Sequence, residues 1–113
     1  MVRKNRTYGK LGDRYRYIDA IKIELGCQVC GYKRNVSSLV IHHKEERLKT
    51  AKLSKMVWSR APWSVIDKEL ENGLVLCENC HTEHHAGDIN AHEFEEVSIT
   101  ESNTYLTFDK KGK

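Results

Sequence analysis

The sequence predicts a small α+β domain reinforced by bound metal. Three observations carry this. Apolar residues recur at helical spacing in residues 13–25 and 63–71, short apolar runs at 39–41 and 74–76 have the length of strands, and four cysteines form two CxxC pairs. At 113 residues the chain is sized for one domain. Only 39% of it is hydrophobic, so its core is modest and a metal staple supplements it.

The elements are read in chain order. Residues 1–12 are basic, carry Gly and lack an apolar period; they are expected to form a flexible arm. Tyr17, Ile18, Ile21 and Leu25 mark a helix over 13–25, with Asp13 as N-cap and Gly26 just past its end, packed on the cysteine site. Residues 27–35 form a knuckle in which Gly31 allows a tight turn. A strand follows over 38–43, then a long basic segment, 44–62, with a short helix at 53–58. Pro62 starts a helix over 63–71, with Trp63, Ile66 and Leu70 on one face, and Gly73 ends it or turns the chain. Leu74-Val75-Leu76 is a buried strand, and 77–86 is a helix stopped by Gly87. Beyond residue 92, the apolar residues Phe94, Val97, Ile99, Tyr105, Leu106 and Phe108 suggest a short C-terminal hairpin turning at 101–103, with 110–113 frayed. The expected organisation is an arm at 1–12, a central domain at 13–92 and a C-terminal extension at 93–113.

No run of about 18 apolar residues exists, so no transmembrane helix is expected. The basic N-terminus is not followed by an apolar stretch, so it does not read as a secretory signal, and a cytoplasmic setting is expected. In such a reducing setting, paired cysteines read as metal ligands before disulfides. The net charge of +3 conceals an asymmetry: residues 1–26 carry +4, residues 27–66 carry +6 and residues 67–113 carry −7. The first two-thirds thus offers a basic surface to a polyanion, against the simpler reading of a solvated lysine-rich face.

Cys27, Cys30, Cys77 and Cys80 are the expected ligands of a structural Zn²⁺. Each CxxC turn brings two thiolates to one side, and the 46 residues between the pairs make a long loop whose closure by one ion constrains the chain. The alternative is a redox dithiol or a pair of disulfides. A second set is chemically harder. His81 and His85 are four apart on a predicted helix and can share an ion; the angular offset from His81 is about 40° for His85 and about 60° for His84, so His85 is preferred and His84 is the alternative. His42 and His43 are neighbours near a strand end, where adjacent side chains point to opposite sides, which suits one ligand and one base. His84 is otherwise expected to be exposed or to lie behind the ligands, and His92 to be a surface residue.

The segments Leu39-Val40-Ile41-His42-His43-Lys44 and Asn72-Gly73-Leu74-Val75-Leu76-Cys77-Glu78-Asn79-Cys80-His81, flanked by Cys27 and Cys30, resemble the HNH endonucleases, in particular their zinc-stapled subgroup. The resemblance covers about residues 27–87. It implies a ββα-metal fold in which two strands and a helix clasp one divalent ion, Mg²⁺, Mn²⁺, Ni²⁺ or Zn²⁺. It implies that His43 is the general base and that His42 and His81 are ligands. In nuclease colicins a further ligand lies one helical turn on, which corresponds to His85. It also implies that Asn72 orients the loop carrying the base. Many members carry Leu after that Asn, where this chain has Gly73. Hydrolysis of DNA to 5′-phosphate and 3′-hydroxyl ends follows from the resemblance, as does an origin in a phage or mobile element, which would place the protein in the host cytoplasm.

The chemistry agrees with the resemblance. Phosphodiester hydrolysis needs an activated water, and a neutral imidazole with a pKa of about 6.5 is a suitable base near neutrality. It also needs an electrophile, which an ion held by neutral imidazoles supplies. Lys44, Arg47, Lys49, Lys52, Lys55 and Arg60 lie between the base and Asn72, where they can neutralise DNA phosphates. Arg3, Lys4 and Arg6 can do so from the arm. Trp58 and Trp63 either stack on bases or belong to the core. The competing function is a non-catalytic zinc-binding adaptor for nucleic acid or protein, which needs the cysteines but not the histidines.

Overall fold

The computed structural model describes residues 12–45, 53–94 and 97–110. Two five-residue strands form its centre. β1 (Leu39–His43) pairs antiparallel with β2 (Gly73–Cys77), setting Leu39 opposite Cys77, His42 opposite Leu74 and His43 opposite Gly73. Every β2 residue is buried, which is why that strand reads as a continuous apolar run rather than an alternation. The other edge of β2 is completed by the first CxxC turn. Gln28 N–H donates to the Val75 carbonyl at 2.9 Å, and the Gln28 side-chain oxygen accepts from Val75 N–H at 2.9 Å.

Among the described residues, five α-helices surround this ribbon: α1 (Gly12–Leu25), α2 (Leu53–Trp58), α3 (Trp63–Glu71), α4 (Glu78–His85) and α5 (Asn103–Thr107). α1 buries Tyr17, Ile18 and Ile21 and ends at Gly26, whose φ of +67° puts it in the left-handed region while its N–H donates to Lys22 O at 2.7 Å. Asp13 differs from expectation. The helix already runs from Gly12, so Asp13 lies inside the first turn, where its carboxylate complements the helix dipole and approaches Arg16 at 3.8 Å. The bounds of α2 and α3 coincide with those read from sequence, and Trp63, Ile66 and Leu70 do form the buried face of α3. Tyr17, Trp63 and Phe108 pack edge-on and tilted at centroid separations of 5.0–5.9 Å, joining α1, α3 and the C-terminal segment.

The C-terminal hairpin is not formed. In its place stand a 3-10 turn at Ile99–Glu101 and α5. Side-chain caps decide this locally. Ser98 and Glu101 form a reciprocal capping box, and Ser102 Oγ accepts from Tyr105 N–H at 3.1 Å. Glu24 of α1 then accepts from the Asn103 and Thr104 amides at 2.7 and 3.0 Å, so the first turn of α5 is tied to α1. Ile99 is fully buried against Gly73, so the described C-terminal residues contribute to the core. Lys110 is likewise not frayed: its Nζ pairs with Asp67 at 2.7 Å and lies over the rings of Tyr17 and Tyr105. Residues 1–11 of the expected arm and 111–113 lie outside the described residues. No described helix is long and apolar enough to cross a membrane.

Candidate metal centres

The four cysteines converge. Cys27 and Cys30 sit in the turn after α1, where Cys30 N–H points at Cys27 Sγ (3.4 Å) and Gly31, at φ +83°, donates to Cys27 O at 2.8 Å. Cys77 ends β2 and caps α4, its Sγ accepting from Cys80 N–H at 3.5 Å. All four sulfurs lie within 4.8 Å of one another, and Cys30 Sγ is 3.7 Å from Cys77 Sγ. A tetrahedral zinc with Zn–S bonds of about 2.3 Å requires sulfurs about 3.8 Å apart. A disulfide requires about 2.05 Å, and all four cysteines are free. Burial pushes the Cys30 and Cys80 thiols up, reinforced by neighbouring thiols. At Cys27 burial is outweighed by backbone N–H donors from Cys30, Cys77 and Val29, which bring that thiol down to about 7. Four sulfurs gathered this closely suit a divalent cation, and the cluster is compatible with a structural zinc.

The second cluster is built from β1 and α4. His42 is 7% exposed and turns toward α4, where its ring lies 4.7–5.3 Å from those of His81, His84 and His85. One nitrogen each from His42, His81 and His85 lies within 4.8 Å of the others, and the facing Nε2 atoms of His81 and His85 are 3.0 Å apart. Two imidazole ligands of one tetrahedral zinc would be about 3.3–3.4 Å apart, given bonds of about 2.0–2.1 Å. Burial lowers the pKa of His42 to about 4, helped by the charges His84, His81, His92 and His85 would carry. Burial also lowers that of His81, with His85 and His84 adding to it. His42 and His81 therefore stay neutral near pH 7, the form in which imidazole ligates a metal.

One histidine departs from expectation: His92 joins the cluster, its Nε2 3.1 Å from His42 Nε2, while His84 lies beside the other rings as one of the two placements expected for it. A nitrogen each from His42, His84 and His92 forms a second group within 4.8 Å. The backbone separates the two groups. His84 Nδ1 accepts from Ala91 N–H at 3.1 Å, which in the neutral ring leaves the proton on Nε2 and engages the lone pair with the backbone. In the His42, His81 and His85 group the facing nitrogens of His81 and His85 meet each other and not a backbone amide. His84 instead ties α4 to the 3-10 turn Ala91–Phe94 that carries His92. No sequence signal marked His92, since it is recruited by that turn and not by a motif spacing.

His43 faces the opposite side of the ribbon from His42, toward α3, with Nε2 3.6 Å from Glu69 Oε2. Asn72 grips the chain just beyond it. Its carboxamide oxygen accepts from Glu45 N–H and its NH₂ donates to Glu45 O, both at 3.0 Å, while Lys44 N–H donates to Asn72 O at 2.8 Å. Gly73 follows because no Cβ fits there: one would lie 2.7 Å from Ile41 Cγ2 and 3.1 Å from both Ile99 Cδ1 and Leu70 O.

Of the expected DNA contacts, Lys55 and Arg60 are exposed and Lys44 is half-buried, whereas Arg47, Lys49 and Lys52 lie outside the described residues, as do Arg3, Lys4 and Arg6. The two tryptophans separate. Trp63 is core, with Arg14 stacked over its ring at 4.7 Å, and Trp58 is 72% exposed at the end of α2. Compared with known proteins, the chain matches no family model, no curated protein and no solved structure.

Proposed function

We propose that the protein is a metal-dependent endonuclease of the HNH type that hydrolyses DNA phosphodiester bonds. The observation that carries this reading is the convergence of three imidazoles, His42 from β1 and His81 and His85 from α4, beside a fourth histidine whose following chain is clamped by Asn72. His42, His81 and His85 would hold one divalent ion. Bound there, it would supply a Lewis acid for the phosphoryl group and the departing 3′ oxygen. His43 serves as general base toward the attacking water, and Asn72 fixes the backbone that carries it. The products are 5′-phosphate and 3′-hydroxyl ends. Lys44, Lys55 and Arg60, together with Arg47, Lys49 and Lys52, bind phosphates without reading sequence. The Cys27, Cys30, Cys77 and Cys80 centre holds a structural zinc with no part in the chemistry.

The test is nicking of supercoiled plasmid in EDTA and in Mg²⁺, Mn²⁺, Ni²⁺ or Zn²⁺, beside calorimetric titration of the same ions. The parent should nick with at least one ion and not in EDTA. His43→Ala should abolish nicking with both metals still bound, with a loss of about 10²–10⁴-fold. His42→Ala, His81→Ala and His85→Ala should weaken the second ion and leave the zinc. A parent that nicks with no ion returns the protein to the adaptor reading.

A further inference from the structure

His92 reaches the imidazole centre from outside both elements that build it. It lies on the 3-10 turn Ala91–Phe94, beyond the end of α4, and its side chain is exposed. Its Nε2 is nevertheless 3.1 Å from His42 Nε2. The His42 ring centroid stands 5.3 Å from each of the rings of His81, His85 and His92. The Nε2 atoms of His81 and His85 face each other at 3.0 Å. The centre therefore holds two facing imidazole pairs, each close to the separation of about 3.3–3.4 Å that two imidazole ligands of one tetrahedral zinc require.

The turn is built onto the site. Ala91 is fully buried, and its N–H donates to His84 Nδ1 at 3.1 Å. Asn90 holds the next residues: its side-chain oxygen accepts from His92 N–H at 3.2 Å, and its carbonyl accepts from Glu93 N–H at 3.1 Å. His84 and Asn90 thus fix the backbone of His92, while its exposed ring has room to turn. His92 falls in a group with His42 and not with His81 and His85, so an ion shared by all four draws that ring inward. We propose that His92 is a fourth imidazole ligand of the ion held by His42, His81 and His85. The proposal rests on the metal centre of the nuclease reading and on no step of cleavage. Four imidazoles make an all-nitrogen shell that suits zinc, copper or nickel. It does not suit Mg²⁺, which demands octahedral geometry and keeps several waters. A tetrahedral zinc can expand to five ligands, so the shell still leaves a place for a phosphate oxygen.

The experiment uses the full chain with zinc in the cysteine centre and one equivalent of Co²⁺ added. X-ray absorption at the cobalt edge counts the imidazoles, optical spectra show any thiolate bound to cobalt, and calorimetry reads the affinity. The parent should show four imidazoles and no thiolate-to-cobalt band. His92→Ala should show three and bind cobalt about 10-fold or more weakly. Losing a residue that only supports a ligand also costs about 10–100-fold, so the imidazole count and not the affinity assigns the role. His92→Cys should exchange one nitrogen for sulfur and bring in the thiolate-to-cobalt band. Excess Mg²⁺ should leave the cobalt in place. Three imidazoles in the parent, or the parental count in His92→Ala, overturns the proposal and leaves the three-histidine ion of the nuclease reading standing. A parent that binds no cobalt at this centre overturns both. If His92→Ala fails to fold, the parental count still decides.

Discussion

Replacing Asn72 with Ala tests whether the side chain after α3 holds the segment beyond His43. The substitution removes two hydrogen bonds to Glu45, each 3.0 Å long, and leaves the backbone bonds from Lys44 N–H to Asn72 O and from Asn72 N–H to Glu69 O. A net value of about 0.5–1.5 kcal/mol per bond, taken low because both are exposed, gives a loss of about 1–2 kcal/mol. In a domain of this size that lowers the melting temperature by about 4 °C or more. Because the Lys44 bond survives, β1 and β2 should stay paired while the chain beyond Lys44 loosens. Asn72→Asp sharpens the test: a carboxylate still accepts from Glu45 N–H but cannot donate to Glu45 O. Thermal melts followed by circular dichroism read the stability, and amide hydrogen exchange reads the segment, with Glu45 losing more protection than Lys44. If Asn72→Ala melts at the parental temperature with unchanged exchange at Glu45, the clamp contributes nothing and the reasoning fails.

Cys80→Ser should lose one tightly held zinc and much of the cooperative unfolding transition, since structural zinc in small domains contributes folding energy of order 10 kcal/mol; elemental analysis of well-folded parent without zinc would contradict it. Trp58→Ala should weaken binding of single-stranded DNA by about 1–3 kcal/mol in a fluorescence titration, as expected for one stacked base, with the fold intact; equal affinity would make Trp58 ordinary surface. Replacing Arg47, Lys49 and Lys52 together should flatten the salt dependence of DNA affinity by about 2–3 units of log–log slope, and an unchanged slope would assign them to solvated surface. Burial pushes the Glu24 carboxyl up, but hydrogen bonds from Thr104 and Asn103, with Lys33 nearby, hold it below the usual carboxylate range. A depressed value means that its contribution is present at neutral pH and is lost as pH falls through the folded value. The Asn103 and Thr104 amides should therefore lose exchange protection in acid, and Glu24→Gln should remove that pH dependence.

The elements that were legible in the sequence are those fixed by local pattern. Trp63, Ile66 and Leu70 define α3 by period alone, and each CxxC places its sulfurs through a turn that needs no distant partner. That His81 and His85 share a face was legible from one helical turn; strand alternation separated His42 from His43, and it was the resemblance, not the alternation, that pointed to His42 as their partner. The misread regions depend on contacts between distant residues. Residues 99–108 look like alternating strand until Ser98, Ser102 and Glu24 are seen to cap the helical turns. The Ser98-x-x-Glu101 pattern was the available signal, and it is a helix-start signature. His84 and His92 acquire their places through the Ala91 amide, and Lys110 through Asp67, which no spacing reveals. Glu69 was visible as a charge on an apolar face, but only the fold supplies the histidine opposite it.

The two centres are not independent, because α4 belongs to both. It has eight residues, with the sequence Glu-Asn-Cys-His-Thr-Glu-His-His, too short and too poor in strong helix formers to be stable alone. Its N-terminus is held by Cys77, which caps it, and by Cys80, whose sulfur is among the four gathered at the thiolate centre. His81 follows Cys80 directly and His85 lies one turn on, so the direction of both rings is set by how the first turn is anchored. The substitutions should therefore have unequal effects. Loss of a cysteine ligand releases the turn that aims His81 and His85 at His42, and the second ion should be lost along with the zinc. Loss of His81 removes an imidazole nitrogen and leaves Cys77 and Cys80 in place. A Cys80→Ser variant that still bound the second ion as the parent does would show that packing of α4 on the ribbon, not the thiolate centre, aligns the imidazoles.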